Sequence, residues 1–551
     1  MQNSLRHIAP MLALLLCACG GGNGDEAAPA AGFDPMAKAM ARGLLLVNKE
    51  APVPPQCYTK TDGVANPCWV CHTESHGRNQ ANDQVLQESY AFSEFAQTNR
   101  WENLFKDRSA AIAAIGDDQA LAYIRQDNYT PLMEAMRTRT DYYGWRPDLD
   151  YRQGFDAEGF ARDGSWWRAF RYKPFLGTFW PTNGSTDDII VRLAPPFYTA
   201  ADGTPSRELY KINLAIMEAA MATPDTVARA DVVRRVEPVS EDVAGIDLDG
   251  NGTVGGVVSL IHGLPANYLG NIGNAAHPRS APVLHGQYPE GTEFLHTVRY
   301  VDPDRPNLLS TRMKEVRYAI KLRDLTDAET TQVYFEAKRE KERGGLPFFG
   351  GTPQYGVHNE LGWQYHAFIE DEAGRLRMQT LEEHYFCMGC HTNLGVTVDQ
   401  TFGWPRKVPG AAGWGHESFA GIKDVAQAGQ AEPEILTYFK RVGGGDEFRA
   451  NTEMLDRFFP AGTVDEAAVR RAAPGGDQDI RFLLVPSRSR ALQLDKAYMA
   501  LVKEQTFELG RDAVISPPGN VHPHIDNGDT GLVDGNGIYG DGRLWPDWGA
   551  P

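Results

Sequence analysis

The chain has 551 residues, enough for two to four ordinary domains, and its 42% hydrophobic and 23% charged composition is that of a soluble globular protein. Its 56 glycines and 35 prolines predict many turns and long connections, which argues against a regular bundle or a clean barrel. The formal net charge of -18 is spread along the chain, so no basic face is offered to nucleic acid. The same acidity suits a basic redox partner protein steered in over long range.

Residues 1–18 read as an export signal: Arg6, an apolar run from Met11 to Leu16, then Leu16-Cys17-Ala18-Cys19. The apolar run is too short to span a bilayer, which takes about 20 residues. It resembles a bacterial lipoprotein signal, which implies cleavage before Cys19, a lipid on that cysteine and a membrane-anchored, exported protein. Gly20 stands where an Asp would resemble an inner-membrane retention signal, so the outer membrane is expected, on its periplasmic or surface face. Residues 19–40 begin with a Gly, Ala and Asp-rich stretch and read as a flexible tether.

The remaining chain divides into an N-terminal region 41–180, a middle region 181–345 and a C-terminal region 346–551. In the first, a proline-rich loop beginning at Ala51 leads to Cys68-Trp-Val-Cys71-His72. In the third, a helix predicted over Gln379–Cys390 closes on Cys387-Met-Gly-Cys390-His391. Two thiols three positions apart reach the two vinyl groups of one porphyrin, and the following imidazole is placed under the iron. Zinc would require both cysteine pairs to meet in one site and leaves His72 and His391 unexplained. Dithiol redox chemistry likewise does not call for the histidines. The pentads resemble those of c-type cytochromes, which implies two covalently bound haem c groups with His72 and His391 as proximal ligands. No close full-length family is identified by the motifs.

The seven cysteines are then spent, apart from Cys57. Burial as a plain thiol is expected for it; the alternative, thiolate ligation of the first haem, resembles sulfur-oxidising cytochromes. Candidate sixth ligands are His384, seven residues before His391, and His366 in the aromatic run Trp363–Ile369. Met378, Met454 and Met499 are equally legal ligands, though methionine more often fills core. His76 is too close to His72 to reach the opposite face of the same ring.

Helical periodicity covers Arg207–Ala222, Leu325–Arg343 and Ala491–Glu508. Strand-like alternation covers Asp188–Leu193 and Glu293–Val301, and Trp363–Ile369 with Arg375–Gln379 reads as a hairpin. Asp247, Asp249, Asn251 and Thr253 space oxygen ligands as the first half of a calcium loop does, with Val258 in place of the closing glutamate. A calcium site completed from elsewhere and a plain Asx-rich turn both remain open. The tail from Ile525 to Trp548 is expected as ordered coil.

The expected fold is mainly α with small antiparallel sheets and much irregular coil, a multi-segment dihaem protein. Two functions fit it. One is a lipid-anchored electron carrier with two six-coordinate haems; the other is an enzyme with one open haem iron. The enzyme reading rests on a resemblance to dihaem peroxidases and the related tryptophan- or rubber-oxidising dihaem proteins, from whose compact spacing the 318 residues between His72 and His391 depart.

Overall fold

A computed structural model describes residues 32–62, 67–74, 79, 84–272, 281–444, 451–532 and 537–549. The signal with Cys17 and Cys19, and the histidines His76 and His277, lie outside the described residues.

Ten strands are described: β1 (Arg168–Phe170), β2 (Thr186–Arg192), β3 (Val233–Ser240), β4 (Val257–His262), β5 (Glu293–Val301), β6 (Leu309–Lys321), β7 (Gly351–Thr352), β8 (Gly356–His358), β9 (Trp363–Glu370) and β10 (Leu376–Met378). Eight of them form one sheet in the order β1-β2-β5-β6-β9-β8-β7, with β10 also on β9; β3 and β4 form a separate ribbon. Every pairing is antiparallel. This overturns the mainly α expectation: the fold is mixed, organised on a large antiparallel sheet to which all three regions contribute strands. The thirteen-residue β6 was hidden by its composition. Glu315, Arg317 and Lys321 alternate with Val316, Tyr318 and Ile320, and charges at strand positions read as loop unless a polar space lies beneath them.

The predicted helices stand close to their expected bounds, at Arg207–Met221, Asp327–Glu342 and Arg488–Glu504. Ser206 and Ser487 cap two of them, and Thr326 with Glu329 forms a capping box on the third. The helix expected over Gln379–Cys390 is shorter. A capping box of Thr380 and Glu383 starts Leu381–Tyr385, and a tighter turn, Phe386–Gly389, carries the chain into the second motif. At the other end of the chain, Met36 and Ala39 are fully buried, so ordered packing begins inside the span expected as tether.

Register gives the sheet two unlike faces. Ile190 (β2), Leu295 (β5), Val316 and Tyr318 (β6) and Phe368 (β9) pack with Trp145 and Trp167 into a hydrophobic cluster. Their neighbours one position along point the other way, and cross-strand partners Ile189, His296, Arg317 and Ala367 show the pairing.

Above that second face the chain is held by a buried charge cluster. Arg406 donates a two-pronged pair of hydrogen bonds to Glu434, at 2.8 and 2.7 Å, and further bonds to the carbonyls of Lys173, Pro174 and Leu544. The Lys173 ammonium bonds both Glu434 and Asp424, the latter at 2.9 Å. Burial would push Glu434 up, but Arg406 and Lys173 hold it at about 2. The pairing therefore stabilises fully above the ordinary carboxylate range and is lost as pH falls towards 2. Glu434→Gln is expected to cost about 3–5 kcal/mol in urea unfolding at neutral pH by leaving the buried Arg406 without its carboxylate and Lys173 with Asp424 alone. A loss below about 1 kcal/mol, in the range of an exposed pair, contradicts this role.

Candidate functional site

The two cysteine motifs adopt the same local turn. The Cys68 carbonyl accepts from the N–H of Cys71 (3.1 Å) and His72 (2.7 Å); the Cys387 carbonyl accepts from Cys390 (3.2 Å) and His391 (2.9 Å). One helical turn in each case presents two thiols followed by an imidazole. Around the first motif, Trp69 is buried, and Gln87 donates to the carbonyls of His72 (2.6 Å) and Tyr539 (2.9 Å).

The motifs are neighbours in space. Residues 51–58, which precede the first, pack on the second: a side chain on Gly389 would stand 2.1 Å from the Pro52 carbonyl, so only glycine fits there. Trp101 donates to the Val53 carbonyl at 2.9 Å and lies 4.4 Å from the Phe386 ring. Cys57 sits in the Pro55–Tyr58 turn; burial, then the fields of the Cys68 and Cys390 thiols, push it well above its usual range. Burial likewise lifts Cys68 to about 12 and Cys390 to about 11, and raises Cys387. These groups are thiols rather than reactive thiolates. Among the described residues the four motif sulfurs do not converge as a metal site; the one such group is Glu241, Asp247 and Asp249. A shared zinc centre does not fit this geometry.

The second motif opens onto a cavity of about 260 Å³, far above a packing defect and near the size of a cofactor pocket. Cys387, Cys390 and His391 line it, with the second sheet face as its floor and Phe175, Phe402 and Trp404 opposite. His391 is screened from bulk solvent, which pushes it down to about 4, so its imidazole is neutral. Its Nδ1 is 2.8 Å from the Gln400 carbonyl, which fixes the ring and leaves Nε2 as the atom for an iron.

The floor carries residues that the sequence did not single out. His296 Nε2 is 3.0 Å from Asp187 Oδ2, and Tyr172 donates to the same carboxylate oxygen. Arg317, the cross-strand partner of His296, bonds Glu315 at 3.0 Å, and Arg511 bonds the same carboxylate at 2.6 Å. Burial would raise Glu315, yet Arg317 and Arg511 hold it at about 2. Two guanidinium groups thus share one carboxylate on the wall beside Cys387, and the excess charge is positive. The alternation Phe294, His296, Val298 on the predicted strand was the available signal for His296.

The two tentative sixth ligands are placed differently. His384 spends both ring nitrogens on its surroundings: Nδ1 on the Thr380 carbonyl (2.9 Å) and Nε2 as acceptor from the Ala367 N–H (3.0 Å). His366, cross-strand from Tyr318, lies on the hydrophobic-cluster face rather than the His296 face, buried among Tyr142 and Tyr318, with Nδ1 3.2 Å from the Tyr142 hydroxyl; burial takes it down to about 3. Met378, Met454 and Met499 are core side chains.

The Asp247–Thr253 loop joins β3 to β4 and lies apart from both motifs in sequence. Asp247 accepts from the N–H of Gly250, Asn251 and Gly252, Asp249 from Asn251, and Asn251 from Thr253. These are the bonds of an Asx-rich turn. Glu241, unsuspected in the sequence, approaches Asp247 and Asp249 to within 4.8 Å and accepts from Leu248, Asp249 and Gly255.

No helix among the described residues is long and apolar enough to cross a membrane. No solved structure matches the chain. A lipoprotein family model matches residues 41–474. An uncharacterized lipoprotein of Aquifex aeolicus (strain VF5) is 32% identical over 561 residues, covering 89% of this chain and 91% of its own. These matches correct the resemblance drawn from the pentads: the family shown is one of lipoproteins, not of c-type cytochromes, and the likeness runs nearly the full length where none was identified. The chain belongs to this lipoprotein family, and is an exported, membrane-anchored lipoprotein.

Proposed function

We propose that this lipoprotein holds two haems covalently, one on Cys68, Cys71 and His72 and one on Cys387, Cys390 and His391, and passes electrons between partners outside the cytoplasm. The observation that carries the reading is the second motif's geometry. Two protonated thiols and a neutral imidazole, its Nδ1 already bonded to a carbonyl, face a cavity of about 260 Å³. The excess positive charge of Arg317 and Arg511 over Glu315 suits the carboxylates of a porphyrin. The first motif repeats the turn, and the contact of residues 51–58 with Gly389 supports a short path between the two groups. Net charge of -18 favours a basic partner, and Gly20 favours the outer membrane.

A second reading, an enzyme with one open iron, is favoured by His296 and Arg317. A histidine oriented by Asp187 beside a partly buried arginine is equipped to move a proton and to stabilise developing negative charge at a small bound substrate.

The mature protein is expected to carry two haem masses that survive denaturation and to give two haems per chain by alkaline pyridine spectroscopy. Cys387→Ala with Cys390→Ala is expected to remove one; a wild-type chain without covalent haem overturns the proposal. Two low-spin centres indifferent to carbon monoxide would mark the electron carrier. If instead one centre binds the gas, His296→Leu is expected to slow reaction with peroxide by roughly 10²–10⁴-fold. An unchanged rate removes His296 from the chemistry.

A further inference from the structure

A second, small cavity of about 20 Å³ lies behind the loop that supports His391, lined among others by Asn79, Asp225, Gln287, Thr397, Asp399 and Gln400. It has room for one water-sized particle. Three buried oxygens on its wall have no hydrogen-bond partner among the described residues: Asp225 Oδ1, Gln287 Oε1 and Gln400 Oε1. The two glutamines are only 5% and 6% exposed, so bulk water does not serve them. Gln287 turns its amide nitrogen to the Leu325 carbonyl at 3.3 Å, which leaves its oxygen as an acceptor on the wall. Asp399, on the same wall, accepts from the Lys321 ammonium (2.6 Å) and the Tyr288 N–H (3.0 Å).

These three oxygens are all acceptors. A lone water offers two protons to three acceptors, one of them a carboxylate, and leaves at least one unsatisfied at a cost of about 1–3 kcal/mol. A hard cation satisfies all of them at once, and oxygen-only ligation selects calcium or a similar ion over zinc or copper. Asp399 and Gln400 are successive non-glycine residues at φ of +44° and +58°, and the Lys321 and Tyr288 bonds to Asp399 hold that turn in place. We propose that Asp225, Gln287 and Gln400 bind a calcium-class cation between the segments that follow the two cysteine motifs.

Gln400 then has two duties. Its side-chain oxygen meets the cation while its main-chain oxygen accepts from His391 Nδ1. Asn79, seven residues beyond His72, donates to Thr397 Oγ1 at 3.3 Å and to the Leu394 carbonyl, which ties the first motif's exit to the same loop. Cation binding would lock the support of His391; that consequence rests on the two-haem reading, while binding itself does not.

The test uses the full chain as isolated, washed with chelator and titrated with calcium chloride by calorimetry. To remove the acidic loop from consideration, the titration is made on the Asp247→Asn, Asp249→Asn chain. One calcium per chain is expected, with a rise in melting temperature. Adding Asp225→Asn should weaken binding by roughly tenfold or more, since ligand charge sets affinity in such sites. Gln287→Leu, which keeps the acid and nearly the volume, should weaken it as well and guards against misfolding of the first variant. No binding to the background chain, or affinity unchanged in both variants, overturns the proposal. If binding is found and the second haem is present, chelation should shift that haem's spectrum; an unchanged spectrum refutes the coupling while leaving the cation site standing.

Discussion

The sheet is made to do two incompatible things, and most of the architecture follows from that constraint. One face buries tryptophans and aliphatic side chains; the other must carry charge over a space that the protein itself does not fill. A charge facing such a space is costly unless paired. Glu315 is the point at which the cost is met, accepting from Arg317 on its own strand, from Gln379 after β10 (2.9 Å) and from Arg511 near the C-terminus. Remove that carboxylate and two guanidinium groups, one buried and one partly buried, are left without it on the cavity wall. The C-terminal segment, 196 positions away in sequence, is thereby tied to the centre of the sheet.

The opposite wall repeats the solution. Glu434, Arg406, Lys173 and Asp424 are all buried, and their bonds join the 173–175 strand exit, the 404–406 turn, the start of the Glu434–Val442 helix and the tail at Leu544. Phe175 and Trp404, which line the cavity, are held by these residues' immediate neighbours. The cavity's largely aromatic lining is therefore braced from two sides by ion pairs. Apolar packing alone would tend to collapse into a volume of this size, whereas directional bonds help to hold the walls apart.

How far the sequence disclosed this depended on whether a signal was local. The Arg207–Met221 and Arg488–Glu504 helices and the β9–β10 hairpin were evident from period and turn residues. The two pentads were evident because their chemistry is contained in five residues. β6 was missed because its polar face looks like solvent and instead floors a cavity, and with it the central pairing of the sheet was missed. His296, Arg317 and Arg511 come from β5, β6 and the C-terminal segment, so no window of the chain contains them together. Glu241 lies outside the loop it approaches, since a ligand supplied from before a calcium-like loop breaks the spacing on which such loops are recognised.

The distance between the pentads acquires a physical meaning from this arrangement. Their intervening 318 residues do not form a linker; they supply all ten strands, eight of which make the sheet against which the second motif is set. The first motif is brought to the second by the short run 51–58, where the Pro52 carbonyl occupies the space a side chain at Gly389 would need. A scaffold of this size is more than two attachment turns require. It is what a buried site needs when its polar groups must be supplied from distant strands and fixed before any ligand arrives. The lipoprotein family's match over residues 41–474 takes in both motifs and the whole sheet, so the family match covers the floor that the second motif needs as well as the two turns.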